Sequence, residues 1–236
     1  VTQPSRDRAA DVASAVAESV QYQGRKASRQ GSEQRRQAIL DAAMRIIIRE
    51  GVRAVRHRAV AAEADVPLSA TTYYFKDIND LITDTFALFV ERSAADMAAF
   101  WEGAEGLLRA RVEKLHGSAE SRRELADYIA AMAVDYVYRQ VMERPAHLLA
   151  ERAFLQEALL NPRLHELVRS HRQILQQGVT HFFEVLGSQH PTEDAKVLTG
   201  IVERMEYQGL IDGASNMNSA EQLALLKRYI YLVLGL

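Results

Sequence analysis

Ile39, Ala42, Ala43, Ile46 and Ile47 recur three and four residues apart, the spacing that lines one face of an α-helix. Ser32 supplies an N-terminal cap for this helix, and Gly51 a stop. After VRAV, the piece from Arg58 to Ala64 sets Val60, Ala61 and Ala64 on one side and predicts a short second helix. Asp65 follows where the chain must turn, because Asp enters the left-handed region more readily than most residues. Pro67 suits the first turn of a third helix, where its missing N–H has no intrahelical acceptor to lose. Asp77, with Asp80 three residues on, opens a much longer helix that runs through LITDTFALFVERSAADMAAFW to about Trp101. Further helices are expected over about Arg122 to Glu143, Pro145 to Leu159, Pro162 to Leu186, Thr192 to Leu210 and Ala220 to Leu234, with breakers such as GSQHP and DGASNMNS between them. No stretch alternates like a strand. The pattern predicts an all-α chain in three parts: a mobile arm over residues 1–31 with one transient helix from Arg8 to Tyr22, a small three-helix unit over 32–78, and a larger helical body over 79–236.

One stretch resists explanation as ordinary helix. VPLSATTYYF, residues 66–75, has too few aliphatic residues for a core helix and too little charge for a surface one. Helix, tight turn and second helix with small residues at the junction is the layout of a DNA reader whose second helix enters the major groove. Such a helix must be slim. Ser69, Ala70, Thr71 and Thr72 permit close approach, their hydroxyls can meet phosphates or bases, and the threonine methyls suit thymine. Tyr73 and Tyr74 add rigid arms that end in a hydroxyl, while Phe75 is expected to turn back into the small core.

Charge sharpens this reading. The 236-residue chain has a net charge of −2, but residues 25–76 hold eleven basic against five acidic side chains, a net of +6, and residues 77–236 hold sixteen against twenty-three, a net of −7. A basic head on an acidic body points to a polyanion at one end only. The absence of cysteine excludes disulfides, thiolate metal sites and cysteine nucleophiles, and fits a reducing cytosol. No run approaches the roughly 18 apolar residues that cross a bilayer, and the first residues lack the basic lead and apolar core of a signal peptide. A soluble, cytoplasmic protein is expected.

RRQAILDAAMRIIIREGVRAVRHRAVAAEADVPLSATTYYFKDINDLI resembles the N-terminal DNA-binding domain of the TetR family of transcriptional regulators over roughly residues 33–86: ILDAA, the EG after the first helix, VAAEADV, TTYYF and the following D-x-x-D-L come in the family's order and spacing. The resemblance implies a homodimer on a palindromic operator, usually a repressor released by a small molecule. It implies Arg58 as a phosphate contact and Leu68, Ser69, Thr71, Thr72 and Tyr73 as the groove-facing set. Arg35, Arg36 and Lys76, with Arg25, Lys26 and Arg29 in the arm, are further candidate contacts, and His57 either faces phosphate or is simply exposed. The chain departs from the family at Arg56, where a capping Thr is common, at Asp65, where Gly is favoured, at Thr72, where an aromatic is frequent, and at Ile78, where a phosphate-binding Lys is common. Lys76 is expected to stand in for that lysine.

In the body, Trp101, Tyr128, Met132, Tyr136 and Phe154 are either ordinary core or the walls of an apolar pocket for a hydrophobic or amphipathic effector. Val197, Ile201, Met205, Leu223, Leu226, Tyr229, Ile230 and Val233 form stripes on the last two helices wide enough for burial against a second copy. His165 and His171, six apart, fall on different helix faces, and His147, Glu151 and Glu157 are no better spaced, so no metal or other cofactor is expected. No nucleophile elbow, phosphate loop or paired-carboxylate motif points to an enzyme. The rival readings are a helical interaction module that grips an acidic protein or membrane surface with the basic head, and a helical enzyme.

Overall fold

The computed structural model describes residues 22–25, 30–112 and 118–236. Among them the chain is all-α: α1 (Gln30–Glu50), α2 (His57–Glu63), α3 (Leu68–Tyr74), α4 (Ile78–Val112), α5 (Ala119–Glu143), α6 (Pro145–Ala158), α7 (His165–Val185), α8 (Pro191–Asp212) and α9 (Ser219–Val233). The transient helix expected from Arg8, and Lys26 and Arg29, lie outside the described residues, Tyr22 aside. None of the described helices is long and apolar enough to cross a membrane.

Local chemistry sets the boundaries. Gly51 ends α1 at φ 83°, a left-handed value that glycine tolerates freely. Asp65 takes φ 52° in the α2–α3 turn, and the Val66 N–H closes that turn on the Ala61 carbonyl at 3.0 Å. The Asp77 carboxylate accepts the Asn79 N–H at 2.9 Å at the start of α4. These N–H groups and Arg163 hold the Asp77 carboxyl below the usual aspartate range, the Asn79 backbone bond first. Two expectations need correcting. Helix α1 begins at Gln30, so Ser32 lies inside it, and its hydroxyl bonds the Tyr74 hydroxyl at 2.8 Å instead of capping. Helix α4 continues past Trp101 to Val112, because Ala104 and Leu108 extend its buried stripe and Glu105 pairs with Arg109 one turn on.

The described residues divide into two compact units. The first comprises the residues up to Asp96 together with Leu149–Arg172; the second comprises Met97–Leu148 and Gln173–Leu236. The unit that holds the short helices, the head, thus also includes residues 149–172. Its added mass is aromatic: Phe154 of α6 stacks on Phe86 of α4 at 4.3 Å between ring centroids, and Phe89 lies 5.7 Å from Phe154 and 5.4 Å from the His171 ring. Phe154 is fully buried there, and Trp101, Tyr128, Met132 and Tyr136 belong to the other unit.

A buried carboxylate ties the head together. Asp84 of α4 accepts Arg36 Nη2 at 2.8 Å, the Gln23 N–H at 2.6 Å and the Gly24 N–H at 2.9 Å. Burial pushes its carboxyl above the ordinary aspartate range, against the downward pull of those donors. Arg36 is only 6% exposed, which removes it from the candidate DNA contacts: its charge is committed to Asp84.

Arg36→Ala strands a buried carboxylate, so we expect a stability loss of about 3 kcal/mol in denaturant melts, against a change within about 0.5 kcal/mol for the exposed neighbour in Arg35→Ala. Phe154→Ala, far from the short helices in sequence, is expected to cost about 3–5 kcal/mol; an unchanged melting midpoint would show that α6 is not part of the head core.

Candidate nucleic-acid interface

Helix α3 has one inward and one outward face. Thr71, Tyr74 and Phe75 are buried. The Thr71 hydroxyl donates to the Leu68 carbonyl at 2.8 Å, and Phe75 has no exposed surface, as its neighbours in sequence suggested. Outward stand Leu68, Ser69, Thr72 and Tyr73, with Leu68 44% and Tyr73 50% exposed. Large apolar and aromatic groups left uncovered on so short a helix are available to a partner. Thr71 was expected among the groove-facing residues; with no exposed surface and its hydroxyl already bonded, it seats the helix instead.

The head also carries exposed cations. Arg35, Arg53, Arg56, Arg58 and Lys76 are exposed, and none has an ion pair among the described residues. Arg45 and Arg49, by contrast, are engaged by Glu63, at 2.7 and 3.3 Å, and Arg92 by Asp41 at 2.7 Å. Arg56 occupies the position before α2 with no side-chain cap. His57 is half-buried, and its Nδ1 is enclosed without a hydrogen-bond partner.

Sequence reasoning missed the arm's attachment. Residues 22–25 are held rather than free: Tyr22 donates its hydroxyl to Glu91 at 2.6 Å, and its ring lies 4.7 Å from the Arg36 guanidinium carbon. Burial and the Glu91 carboxylate push the Tyr22 phenol well above its usual range, burial being the larger cause. The Arg25 N–H donates to the Tyr74 carbonyl at 2.9 Å, and its guanidinium carbon stands 4.4 Å from the centroid of the Tyr73 ring. The signal available in the sequence was Gly24, the one position in this run without a Cβ to strike Phe75.

In the second unit, Phe100, Trp101, Tyr136 and Phe182 form a chain of ring contacts, with centroid separations of 4.9 Å for Phe100–Trp101, 4.8 Å for Phe100–Tyr136 and 5.9 Å for Trp101–Phe182. Gly178 admits the Trp101 ring, since a Cβ there would lie 2.0 Å from Nε1, and that Nε1 is buried without a partner. Tyr128 is already covered by the Arg111 guanidinium at 3.6 Å. Met132 is half-buried against the same core. On α8 and α9 the expected stripe splits. Met205, Leu226 and Ile230 are buried within the single chain, so they are core rather than interface. The Tyr229 hydroxyl donates to the Asp194 carbonyl at 2.6 Å. Leu223, Val233 and Ile201 are partly buried, and Val197 is exposed together with Tyr207, Ile211, Leu225 and Leu232. Among the described residues, no three His, Cys, Asp or Glu side chains gather as metal ligands.

Residues 39–85 match the family model of bacterial regulatory proteins of the tetR family. A TetR-family member from Streptomyces coelicolor A3 is similar in structure, with 25% identity and a TM-score of 0.56 over 83% of this chain and 97% of that one. The multidrug-binding protein EbrR, complexed with ethidium, is 26% identical with a TM-score of 0.55 over the same shares of the two chains. A transcriptional regulator from Saccharomonospora viridis in complex with choline shares the fold, at 18% identity and a TM-score of 0.61 over 84% of this chain and 96% of that one. No curated protein matches the sequence significantly. The matched segment contains the whole helix–turn–helix described above, so residues 39–85 are those of a tetR-family DNA-binding domain, and the fold of the chain is that of solved TetR-family regulators.

Proposed function

We propose that this chain is a TetR-family transcriptional repressor that binds a palindromic operator as a homodimer and leaves it when a small apolar or amphipathic ligand occupies its body. The observation that carries the DNA-reading part is the division of α3 into a seated face, Thr71, Tyr74 and Phe75, and an open face, Leu68, Ser69, Thr72 and Tyr73. Base edges are read by the open face, while Arg35, Arg58 and Lys76 neutralise phosphates and set the salt dependence. Half-buried His57 contributes through its ring at the start of α2.

The exposed apolar side chains Val197, Tyr207 and Ile211 on α8 and Leu225 and Leu232 on α9 support pairing with a second copy, with Ile201, Leu223, Tyr229 and Val233 at its margin. Pairing would hold two recognition helices roughly 34–36 Å apart, one DNA turn. The aromatic chain around Trp101, with Met132 and Tyr136 beside it, supports a flat apolar ligand, and the buried Trp101 Nε1 is a donor in search of an acceptor. EbrR, a relative at 26% identity, binds ethidium. A ligand that prefers a body conformation with the wrong half-site spacing weakens DNA binding by its differential affinity, about 1–3 kcal/mol.

Two sets of variants test this reading. Lys76→Ala is expected to weaken binding to operator and random duplex alike, whereas Ser69→Ala changes which base pairs are tolerated; the reverse assignment in binding titrations would overturn the roles. Ile211→Glu is expected to convert a dimer into a monomer in sedimentation and to lose operator affinity with it. A wild-type chain that sediments as a monomer at binding concentrations contradicts the pairing.

A further inference from the structure

The arm segment 22–25 is built into the head in a way that the helix–turn–helix alone does not require. Asp84 is a buried acid of the head, and two of its three donors are backbone N–H groups of the arm. A carboxylate so placed is satisfied only while the arm is docked. Gly24 fits because it has no side chain: a Cβ there would come within 2.5 Å of Phe75 Cε1 and 2.9 Å of Asp84 Oδ2. The next residue, Arg25, gives its N–H to the Tyr74 carbonyl, one of the orphan acceptors at the end of α3. Its guanidinium then rests on Tyr73, a half-exposed ring of the recognition helix. Arg25 is exposed and has no ion pair among the described residues. Stacking on an aromatic face fixes the plane of a guanidinium and leaves its edge N–H groups free for an anion.

We propose that residues 22–25 are a clamp for DNA binding, in which Asp84 and the fit of Gly24 against Phe75 pin the backbone so that Arg25, stacked on Tyr73, meets a phosphate beside the recognition helix. Gly24 and Asp84 are positioning residues; Arg25 makes the contact. The clamp rests on the DNA-binding reading above and extends the reading surface past α3 itself.

The test is a double-mutant cycle on the full chain, read as the salt dependence of binding to a random-sequence duplex between 50 and 200 mM salt. Arg25→Gln changes an exposed side chain and is expected to lower the slope of log K against log salt by about 0.9 per bound chain. Gly24→Ala is expected to lower it equally, because the methyl lifts the arm off Phe75, and the double variant is expected to lose no more than either single one. Thermal melts report any cost to the fold separately, and Arg25→Lys, which retains the charge, should recover most of the slope. An unchanged slope in Arg25→Gln overturns the contact, and additive losses in the double variant overturn the clamp. Failure of the wild-type chain to bind any duplex would instead sink the DNA-binding reading, so the two failures are distinguishable.

Discussion

A seven-residue helix has no business standing alone in water: helices shorter than about 12–15 residues are marginal even in favourable sequences. Helix α3 exists because Thr71, Tyr74 and Phe75 are buried in the head, and every consequence for DNA follows from that seating. Burial of one face fixes which side chains remain outside. It also explains the odd composition of VPLSATTYYF, whose small residues keep the helix slim and whose aromatic residues divide between anchor and open surface. Tyr73 and Tyr74 are adjacent, meet edge to face at 5.1 Å, and have opposite fates: one is half-exposed and the other buried.

The second constraint is a charge in the wrong dielectric. An ionised carboxylate inside a protein is tolerable only with donors on most of its lone pairs. Asp84 of α4 meets this requirement with one guanidinium and two amide groups drawn from two separated parts of the chain, α1 and the arm. The network trades desolvation against geometry: it stabilises little beyond what an apolar contact would, but it specifies where α1 lies against α4 and where the arm runs. The aromatic stack of Phe86, Phe89 and Phe154 does the complementary work by burial and shape.

The helices of the head were legible because their signals are local. Gly51, Asp65 and Pro67 act on their own backbone, and both positive φ values fell where the residue types suggested. The partners of those helices were not legible. Arg35 and Arg36 look alike in sequence, yet successive residues on a helix point about 100° apart, and only one of them meets an acid 48 positions away. Phe154 lies 68 residues from Phe86, and nothing nearby in sequence says which unit it joins. The stripes on α8 and α9 had the same ambiguity: apolar periodicity announces burial without saying whether the cover is the same chain or another. Leu226 and Ile230 are covered within the chain, while Ile211, 66% exposed, is not. Helix α4 runs past its expected end near Trp101 and through Gly103 and Gly106, neither of which has the positive φ that a helix-ending glycine adopts.

The head thus has a short helix with one seated and one open face and several exposed cations, and the second unit has an aromatic cluster and exposed apolar side chains of its own. The central claim is that the open face of α3 reads base edges. Selection of bound duplexes from a random pool by the purified chain, followed by sequencing, tests it most directly. The account predicts enrichment of one short motif and its inverted copy, centred about one helical turn apart. Recovery of duplexes with no shared sequence, at the same affinity as the starting pool, would contradict it.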